Sequence, residues 1–396
     1  MASIKSVVTL MNDGDWIESK DQSPTGIRLI QTGNIGNGEY LDKGNRAKYI
    51  SEKTFHELDC TEVVPGDILI SRLPDPIGRA CIVPHDIGKA ITAVDCTIVR
   101  LNRHLCNAHY FVYYTQSELY QHRLEQFFAG TTRTRISRKN LEQIEIPLPA
   151  INIQEQIAAK LDKVTELISL RKQQSAKLDE LVKARFVEMF GDPEVNLHGF
   201  EIKSIGELVS VEPQNGMYKP QSSYVQDGTG TPILRIDAFY NGKVTDFHSL
   251  KRLTCAKAEI EKYLLHEHDI VINRVNSLEY LGKCAHIVGM YEPTVFESNM
   301  MRLHLDDTRA NPCFITHLLC SDYVRKQIMN RAKKAVNQAS INQNDVQSLL
   351  VLVPPVVLQH QFASFVAQTD QQKLTIQHSL AKLELLKKAL MQKYFV

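Results

Sequence analysis

The chain has 396 residues, which is too long for one ordinary domain and predicts two or more. Its net charge of +1 excludes a globally basic, histone-like nucleic-acid binder but is compatible with a DNA reader that has local basic patches. No apolar run reaches the roughly 20 residues that a membrane helix needs, and the N-terminus lacks a signal-peptide pattern, so we expect a cytoplasmic protein.

Residues 1–149 have the pattern of a mixed α/β domain. The β-branched run Ile68–Ile70 follows an aspartate turn and predicts a strand. Apolar periodicity predicts a helix from Tyr110 to Phe127. A basic cluster closes this part of the chain, with threonines between some of its members: Arg123, Arg133, Arg135, Arg138 and Lys139.

Residues 150–191 have the pattern of one long helix. Asn152 and Glu155 have the spacing of an N-cap and a third helical residue, which predicts its start. Gly191-Asp192-Pro193 predicts a sharp end. About 37 residues at 1.5 Å each give a rod of roughly 55 Å. Polar Arg171 and Ser175 interrupt an apolar stripe of heptad spacing, which predicts a coiled-coil seam: Ile157, Leu161, Val164, Ile168, Leu178 and Val182.

The second half of the chain repeats the first. Pro149 and Gln156 match Pro354 and Gln361 at one common offset. Further matched segments, given as first and second copy, are 27–30 and 233–236, 66–72 and 268–274, 99–101 and 301–303, 135–141 and 340–346. Two globular heads, each followed by a helix, are the simplest interpretation of such a repeat.

Residues 192–354 form the second predicted head, again mixed α/β. Ile270–Ile272 predicts a strand, and Phe314 to Met329 predicts a helix. The basic cluster of this head is followed by amide side chains, and its members are Arg325, Lys326, Arg331, Lys333, Lys334, Asn337, Gln338, Asn342 and Gln343.

Residues 355–396 predict a second rod with a similar apolar stripe: Phe362, Val366, Ile376, Leu380, Leu383 and Leu390. One such rod is too long and too one-sided to be stable alone in water. We therefore expect the two rods to pair antiparallel, with the heads at opposite ends and a pseudo-two-fold axis between the copies. The alternative is that each rod packs on its own head.

Two similar heads on a rigid spacer suit a target with two separated, similar features, and duplex DNA with two half-sites is the commonest such target. Lysine and arginine suit phosphate contacts, while arginine, asparagine and glutamine suit base edges. Arg72 and Arg274 recur at matching strand ends, where they either contact DNA or pair within the head. The other interpretation of the clusters is a solvated helix end and loop. The expected DNA-contacting residues are Arg72, Arg133, Arg135, Arg138, Lys139, Arg274, Lys333, Lys334, Asn337 and Gln338.

Segments with a catalytic appearance have simpler interpretations. Residues 311–314 (Asn-Pro-Cys-Phe) resemble a methyltransferase loop, but we expect Pro312 to begin a helix, and residues 227–230 fit a turn rather than a cofactor loop. Residues 266–268 (His-Glu-His) fit a solvated turn better than a metal site. The eight cysteines fit buried free thiols better than a zinc site or disulfides. We expect no catalytic residue, metal or cofactor in this chain.

The duplicated pattern resembles the specificity subunits of type I restriction–modification systems over essentially the whole chain. The segments that carry the resemblance are Glu155-Gln156, Arg133-x-Arg135-Ile136-Ser137 and Phe190-Gly191-Asp192-Pro193, with rods over 153–190 and 358–395. The second copy departs from the family at His360, which stands where an acid is usual, and it lacks the Arg-x-Arg-Ile-Ser form.

This resemblance implies that each head is a target-recognition domain for half of a split DNA site and that the paired rods set the spacer. It implies docking of two modification (methyltransferase) subunits, which use S-adenosylmethionine to methylate adenine. It further implies restriction (motor–nuclease) subunits that use ATP and Mg²⁺. Specificity and assembly, and not catalysis, would then belong to this chain.

Three alternatives compete with this hypothesis. The first is a recognition subunit whose partner fuses nuclease and methyltransferase, and neighbouring genes would distinguish it. The second is a stand-alone methyltransferase or nuclease, for which the sequence has neither a cofactor loop nor a metal-binding carboxylate set. The third is a structural coiled-coil adaptor, which predicts no sequence-specific DNA binding.

Overall fold

The computed structural model of the chain describes residues 1–128, 134–336 and 338–395. Contacts divide the chain into two units. Unit 1 comprises Met1–Gln174 with Ile376–Val396, and unit 2 comprises Ser175–Thr375. Each unit contains one head of mixed helices and sheets, together with a part of each long helix. Within the described residues, no helix combines the length and the apolar character that crossing a membrane requires.

In its described residues, the first head is built from short strands and four short α-helices. Its strands are β1 Ala2–Ser3, β2 Val8–Asp13, β3 Gln22–Ser23, β4 Ile27–Ile30, β5 Lys48–Ile50, β6 Ile68–Ser71, β7 Ala80–Ile82, β8 Ala90–Thr92, β9 Cys96–Leu101 and β10 Glu145–Ile146. Its helices are α1 Glu52–Glu57, α2 Ala108–Thr115, α3 Glu118–Glu125 and α4 Arg138–Gln143, and the long helix α5 Ile151–Phe190 follows. One sheet has the antiparallel order β2-β9-β6-β7, and a second has the order β3-β5-β4-β8, in which β4 and β8 are parallel. Strands β1 and β10 form a separate antiparallel pair.

The second head has the same plan with additional strands. Its strands are β11 Glu201–Ser204, β12 Val209–Asn215, β13 Tyr224–Val225, β14 Thr231–Leu234, β15 Phe239–Tyr240, β16 Gly242–Val244, β17 Arg252–Leu253, β18 Ile270–Asn273, β19 Val275–Asn276, β20 Cys284–His286, β21 Val295–Phe296, β22 Met300–Leu305, β23 Lys333–Lys334, β24 Ala339–Ser340 and β25 Leu350–Val353. Its helices are α6 Ile205–Leu208, α7 Lys257–Tyr263, α8 Pro312–Leu319, α9 Asp322–Arg331 and α10 Gln343–Gln347, and the long helix α11 Val356–Tyr394 follows. The order β12-β22-β18-β20 matches β2-β9-β6-β7 of the first head.

The strands predicted at Ile68–Ile70 and Ile270–Ile272 are confirmed as β6 and β18, both fully buried. The predicted alignment of residues 99–101 with 301–303 is wrong by two residues. Ile68 pairs with Val99, whereas Ile270 pairs with Leu303, so Arg100 is equivalent to His304.

The predicted alignment of residues 27–30 with 233–236 is also wrong by two residues. The carbonyl of Ile30 accepts a hydrogen bond from Ala93 N, and the carbonyl of Leu234 accepts one from the equivalent Glu297 N. Ile30 is therefore equivalent to Leu234 and not to Ile236. The segment that leads to this strand in the second copy is two residues shorter than the sequence match indicated.

Each of the two predicted head helices is broken into two. Ser117 divides the region Tyr110–Phe127 into α2 and α3 by capping α3, because its hydroxyl accepts the amide of Tyr120. Ser321 divides Phe314–Met329 into α8 and α9 in the same manner, through Val324 N. A serine hydroxyl offers the backbone an alternative partner, which favours a new helix start. Pro312 begins α8, as predicted, with Asn311 as its N-cap.

The two long helices pair antiparallel within each unit, as predicted. In unit 1, the ammonium of Lys172 lies 3.8 Å from the carboxylate of Glu384, and Ile157 shares a core cluster with Leu390 and Phe395. In unit 2, Lys373 pairs with Asp179, and the ring centroids of Phe186 and Phe362 are 5.4 Å apart. As the residue number rises along α5, the number of the contacted residue on α11 falls, so the two helices are antiparallel in both units.

Every predicted seam residue on these helices is buried or half-buried: Ile157, Leu161, Val164, Ile168, Leu178, Val182, Phe362, Val366, Ile376, Leu380, Leu383 and Leu390. Polar side chains share the seam at Thr369, Lys373 and Lys387, which the apolar pattern missed. Burial lowers the pKa of Lys387, whose ammonium lies 5.7 Å from the ring centroid of Tyr113.

The predicted capping box at Asn152 is wrong, because α5 begins at Ile151 and Asn152 lies inside its first turn. The carbonyl of Ala150 accepts the first helical amides, at Ile153 and Gln154. The Gly191-Asp192-Pro193 stop is confirmed. Gly191 adopts φ +71 and donates to the carbonyl of Val187, and only glycine adopts this conformation without steric cost.

A buried glutamine attaches each long helix to its head. Gln154 donates to the carbonyls of Leu105 (2.9 Å) and Pro149 (2.8 Å), and its Oε1 accepts Asn107 N at 3.0 Å. Gln359 repeats these contacts with Arg309, Pro354 and Asn311. The second glutamines of the repeated motif, Gln156 and Gln361, are exposed. The first glutamine of each motif is therefore a framework residue of the head–helix junction.

Candidate nucleic-acid interface

In the first head, four chain segments meet where β2 and β6 end. Gly14 N donates to the carbonyl of Cys96 at 2.9 Å, and Arg72 N donates to the carbonyl of Asp95 at 2.9 Å. The carbonyl of Arg72 in turn accepts Ile136 N at 3.3 Å. We call this set of residues, 14–16, 72, 94–95 and 135–136, the loop edge of the first head.

The second head has an equivalent loop edge, made of residues 216–218, 274, 298–299 and 340–341. Gly216 N donates to the carbonyl of Met300 at 3.0 Å, and Arg274 N donates to that of Asn299 at 2.8 Å. The carbonyl of Arg274 accepts Ile341 N at 3.0 Å. The two heads therefore bring equivalent segments to equivalent strand ends.

The predicted DNA contacts Arg72 and Arg274 are tied into this framework. The Arg72 guanidinium donates to the carbonyl of Val94 and lies 3.5 Å from the carboxylate of Asp13. The Arg274 guanidinium donates to the carbonyl of Ser298 at 3.1 Å. Both side chains are half-buried, so the structure places them as supports of the loop edge.

Arg138 is likewise engaged within the first head. Its guanidinium donates to the carbonyl of Met11 at 2.7 Å and lies 3.7 Å from Asp13 and 3.6 Å from Glu142. In contrast, Arg135 at the loop edge and Lys139 on α4 are exposed. Arg133, the remaining predicted contact of this head, lies outside the described residues.

In the second head, strands β19, β24 and β23 form a small sheet beside the loop edge. Lys333, Lys334 and Gln338 are exposed on the β23–β24 hairpin, and a hydrogen bond of 2.7 Å from Ala335 N to Gln338 O closes its turn. Val336, next to the turn, is 99% exposed. Asn337 lies outside the described residues.

The cluster members on helices α3 and α9 have acceptors within their own head. Arg123 donates to the carbonyl of Glu145, and Arg331 donates to Ser348 and Gln327. Lys326 pairs with Glu194 at 2.5 Å, and Arg325 donates to the carbonyl of Glu279. Within the described residues, the exposed cations of the clusters outside these contacts are Arg135 and Lys139 in the first head and Lys333 and Lys334 on the hairpin of the second.

The sequence prediction missed a cationic pocket of about 210 Å³ in the first head, lined partly by Arg28, Lys43, Arg46 and Lys48. The Arg28 guanidinium pairs with Asp42 at 2.5 Å. Lys43, Arg46 and Lys48 are close in sequence, and β4 brings Arg28 beside them, so the local run of charges was a signal that the sequence prediction missed. The pocket suits an anionic group such as a phosphate.

The segments with a catalytic appearance have structural roles. Asp227 accepts Thr229 N at 2.9 Å and closes the predicted turn, and Asp269 accepts His266 N at 2.7 Å. Across residues 1–128, 134–336 and 338–395, no three His, Cys, Asp or Glu side chains are grouped to hold a metal ion.

Comparison with known proteins gives one consistent result. The family model described as "Type I restriction modification DNA specificity domain" matches residues 1–180 and again residues 198–385. The specificity subunit of the type I restriction enzyme EcoKI from Escherichia coli (strain K12) is 27% identical over 422 residues, covering 100% of this chain and 88% of the relative. The putative MjaX specificity subunit from Methanocaldococcus jannaschii is 32% identical over 197 residues, covering 49% of this chain and 44% of the relative.

Solved structures show the same fold at low sequence identity. The S subunit of a type I restriction–modification system from M. genitalium has a TM-score of 0.61 at 16% identity, covering 100% of this chain and 95% of that chain. A chain from a structure on complex assembly and conformational transition of the type I R-M system has a TM-score of 0.59 at 17% identity, with coverage of 100% and 96%.

Proposed function

Because this chain belongs to the type I restriction–modification DNA specificity family, we propose that its two heads, residues 1–149 and 192–354, each read one half of a bipartite DNA site. The recognition is carried by the loop edges, while the framework beneath them is common to both heads. In this scheme the chain supplies specificity and assembly, and the chemistry on DNA belongs to its partners.

The observation that carries this proposal is the duplicated loop edge. Arg72 and Arg274 make equivalent main-chain contacts, so the backbone of the loop edge has the same arrangement in both heads. The exposed side chains around that frame differ, with Arg135 and Lys139 in one head and the β23–β24 hairpin in the other. One frame with two sets of exposed residues suits two different half-sequences.

The paired long helices act as the spacer between half-sites and as the docking surface for two modification subunits. Those partners bind S-adenosylmethionine and methylate adenine, which requires the adenine to leave the base stack, so the reader must hold its partner at a defined base pair. ATP and Mg²⁺ belong to the restriction subunits of the complex. This chain itself holds no cofactor in the scheme.

Methylome sequencing tests the proposal directly. Cells that express this chain with its modification partners are expected to carry methylated adenines in one split motif, made of two short half-sequences at a fixed spacing. Cells that express the partners alone serve as the control and should lack that motif. An identical methylome with and without this chain would overturn the proposal.

A further inference from the structure

Each head exposes one large aromatic side chain at its loop edge. Trp16, the only tryptophan of the chain, is 70% exposed, and Tyr218 is 79% exposed. Aromatic side chains of this size usually bury most of their surface, and they are enriched where a partner covers them. Two such side chains at equivalent positions therefore indicate that each head contacts a partner through its aromatic residue.

The backbone shows that the two positions are equivalent. Asp15 forms a parallel β-bridge with Ala93. In the second head, Met217 forms a parallel β-bridge with Glu297, the residue equivalent to Ala93. Trp16 and Tyr218 are the next residues along the chain.

Glycine precedes each bridge because the backbones approach closely. A Cβ atom on Gly14 would lie 2.3 Å from the carbonyl oxygen of Ala93, and one on Gly216 would lie 2.2 Å from that of Glu297. No side chain fits at such a distance, so the glycines allow the chain to pass tightly against its neighbour. The tight passage fixes where Trp16 and Tyr218 leave the sheet.

Both aromatic residues share their edge with exposed cationic segments. In the first head, Arg72 links the Asp13–Trp16 turn to the segment with Arg135. In the second head, Arg274 links the chain beside Met217 to the sheet that contains the β23–β24 hairpin. Of the nearby acids, Asp13 is already paired with arginines and Asp15 accepts the amide of Thr61 at 3.0 Å. Glu18 accepts the indole N–H of Trp16 at 3.3 Å, which leaves the ring faces exposed.

We propose that Trp16 and Tyr218 are specificity-determining DNA contacts, one in each half-site, whose rings pack on bases and thymine methyl groups. This inference rests on the proposed function. Rings offer apolar and stacking contact, whereas phosphates are held by the cations beside them. The neighbouring positive charge favours DNA over a protein partner as the cover of these rings. The ring contribution to affinity is nearly independent of salt, unlike that of a lysine.

The first test uses the full chain assembled with its modification partners, in the variants Trp16→Ala and Tyr218→Ala. Each variant is expected to weaken binding of the specific duplex roughly tenfold, the scale of one lost base contact, by the same factor at low and high salt. Each should also relax the methylated motif in one half only, and the two variants should affect opposite halves. Trp16→Phe should keep most of the affinity.

Tyr291→Ala is the matched control, since Tyr291 is 49% exposed but lies in the loop between β20 and β21, where its ring stacks on His248. It should leave affinity and motif unchanged. If Trp16→Ala and Tyr218→Ala behave like this control while the wild type methylates a split motif, the inference fails and the proposed function stands. If the wild type methylates no split motif, both fail.

The second test observes the tryptophan itself. This chain is labelled at its single tryptophan with 5-hydroxytryptophan, which absorbs at longer wavelength than ordinary tryptophan. The emission from position 16 can therefore be observed selectively even in the assembled complex. Its emission is expected to change on addition of the specific duplex and to stay constant when the partner subunits bind. A change on partner binding, with none on DNA, would assign Trp16 to a protein interface and overturn the inference.

Discussion

The buried carboxylate of Asp67 accepts two hydrogen bonds of 2.7 Å from the guanidinium of Arg100. In the second head, the equivalent carboxylate of Asp269 faces Nδ1 of His304 at 2.7 Å. Both carboxylates also accept a main-chain amide from the turn before their strand. The two heads thus keep the same buried acid and change the side chain that hydrogen-bonds to it.

Asp67→Ala should destabilise the first head, because it removes the partner of Arg100 and the acceptor of the Val64 amide. We expect a loss of about 3 kcal/mol, the lower end for breaking a buried pair, since Arg100 is partly exposed to solvent. Hydrogen exchange at β6 and β9 measures the loss. Glu57→Ala, which breaks the exposed pair with Lys53, is the control and should cost under about 1 kcal/mol.

Gln154→Ala should loosen the junction of the first head with α5. The substitution leaves the amide of Asn107 and two carbonyls without their partner in a buried place, which costs about 2–3 kcal/mol. Gln359→Ala should do the same in the second head. Local hydrogen exchange at the start of each long helix is the measurement. The exposed neighbours give matched controls, and if Gln156→Ala cost as much, the buried contacts would not be the cause.

Unit 2 should lose stability as the pH falls from about 6.5 to about 4. Burial, aided by the positive charges of His268, His317 and Lys243, lowers the pKa of His286 to about 4. Between these pH values the unfolded chain binds a proton at His286 that the folded chain does not, so the free energy of unfolding falls with falling pH, by up to about 3 kcal/mol. Denaturant unfolding of His286→Gln at pH 7 and 4.5 should show a smaller pH effect than the wild type. An equal effect in both proteins would contradict this assignment.

Lys333→Ala with Lys334→Ala should weaken DNA binding by the assembled complex at low salt. If each lysine contacts one phosphate, the slope of log affinity against log salt should become shallower by about 0.9 for each substitution. Titration of the specific duplex at several salt concentrations measures the slope. Lys326→Ala provides the control, because this lysine is already paired with Glu194. If the double substitution left the slope unchanged, the β23–β24 hairpin would not be part of the DNA interface.

Shortening the helix pair should shorten the spacer of the DNA site. Deletion of residues 166–172 together with residues 384–390, one heptad from each facing segment in unit 1, keeps the seam spacing and removes about 10 Å of helix. We expect the methylated half-sequences to move closer by about three base pairs, at 3.4 Å each. Replacing the same heptads at equal length should preserve the spacing. If the deletion variant still methylated DNA at the original spacing, the paired helices would not set the distance between the half-sites.

The sequence predicted the periodic elements well. The strand at Ile68–Ile70, the helix start at Pro312 and the long helices all depend on local patterns that the chain itself displays. The paired arrangement of the long helices also followed, since a one-sided apolar stripe must be covered. The elements themselves are decided by residues near one another in sequence, and the pairing by the apolar stripe that each long helix displays.

The alignment errors and the misassigned arginines have physical causes that no local pattern displays. Both alignment errors are shifts of two residues within strands, as at Arg100 and His304. A strand shifted by two keeps the same side chains on the same face, so the apolar pattern fits both registers, and only the pairing strand decides. Likewise, an arginine such as Arg138 looks the same in sequence whether it faces water or a carbonyl. The helix breaks at Ser117 and Ser321 did have a local signal, a serine followed by an acid.

The internal cations and glutamines of both heads bond chiefly to main-chain carbonyls. Arg79 donates to the carbonyls of Ile35, Leu73 and Thr32, and the equivalent Lys283 donates to that of Ile236. A carbonyl is present whatever side chain its residue has, so these anchors are indifferent to substitutions around them. Selection can therefore exchange the outward-facing residues freely, and a head can acquire a new target sequence without first re-evolving its scaffold.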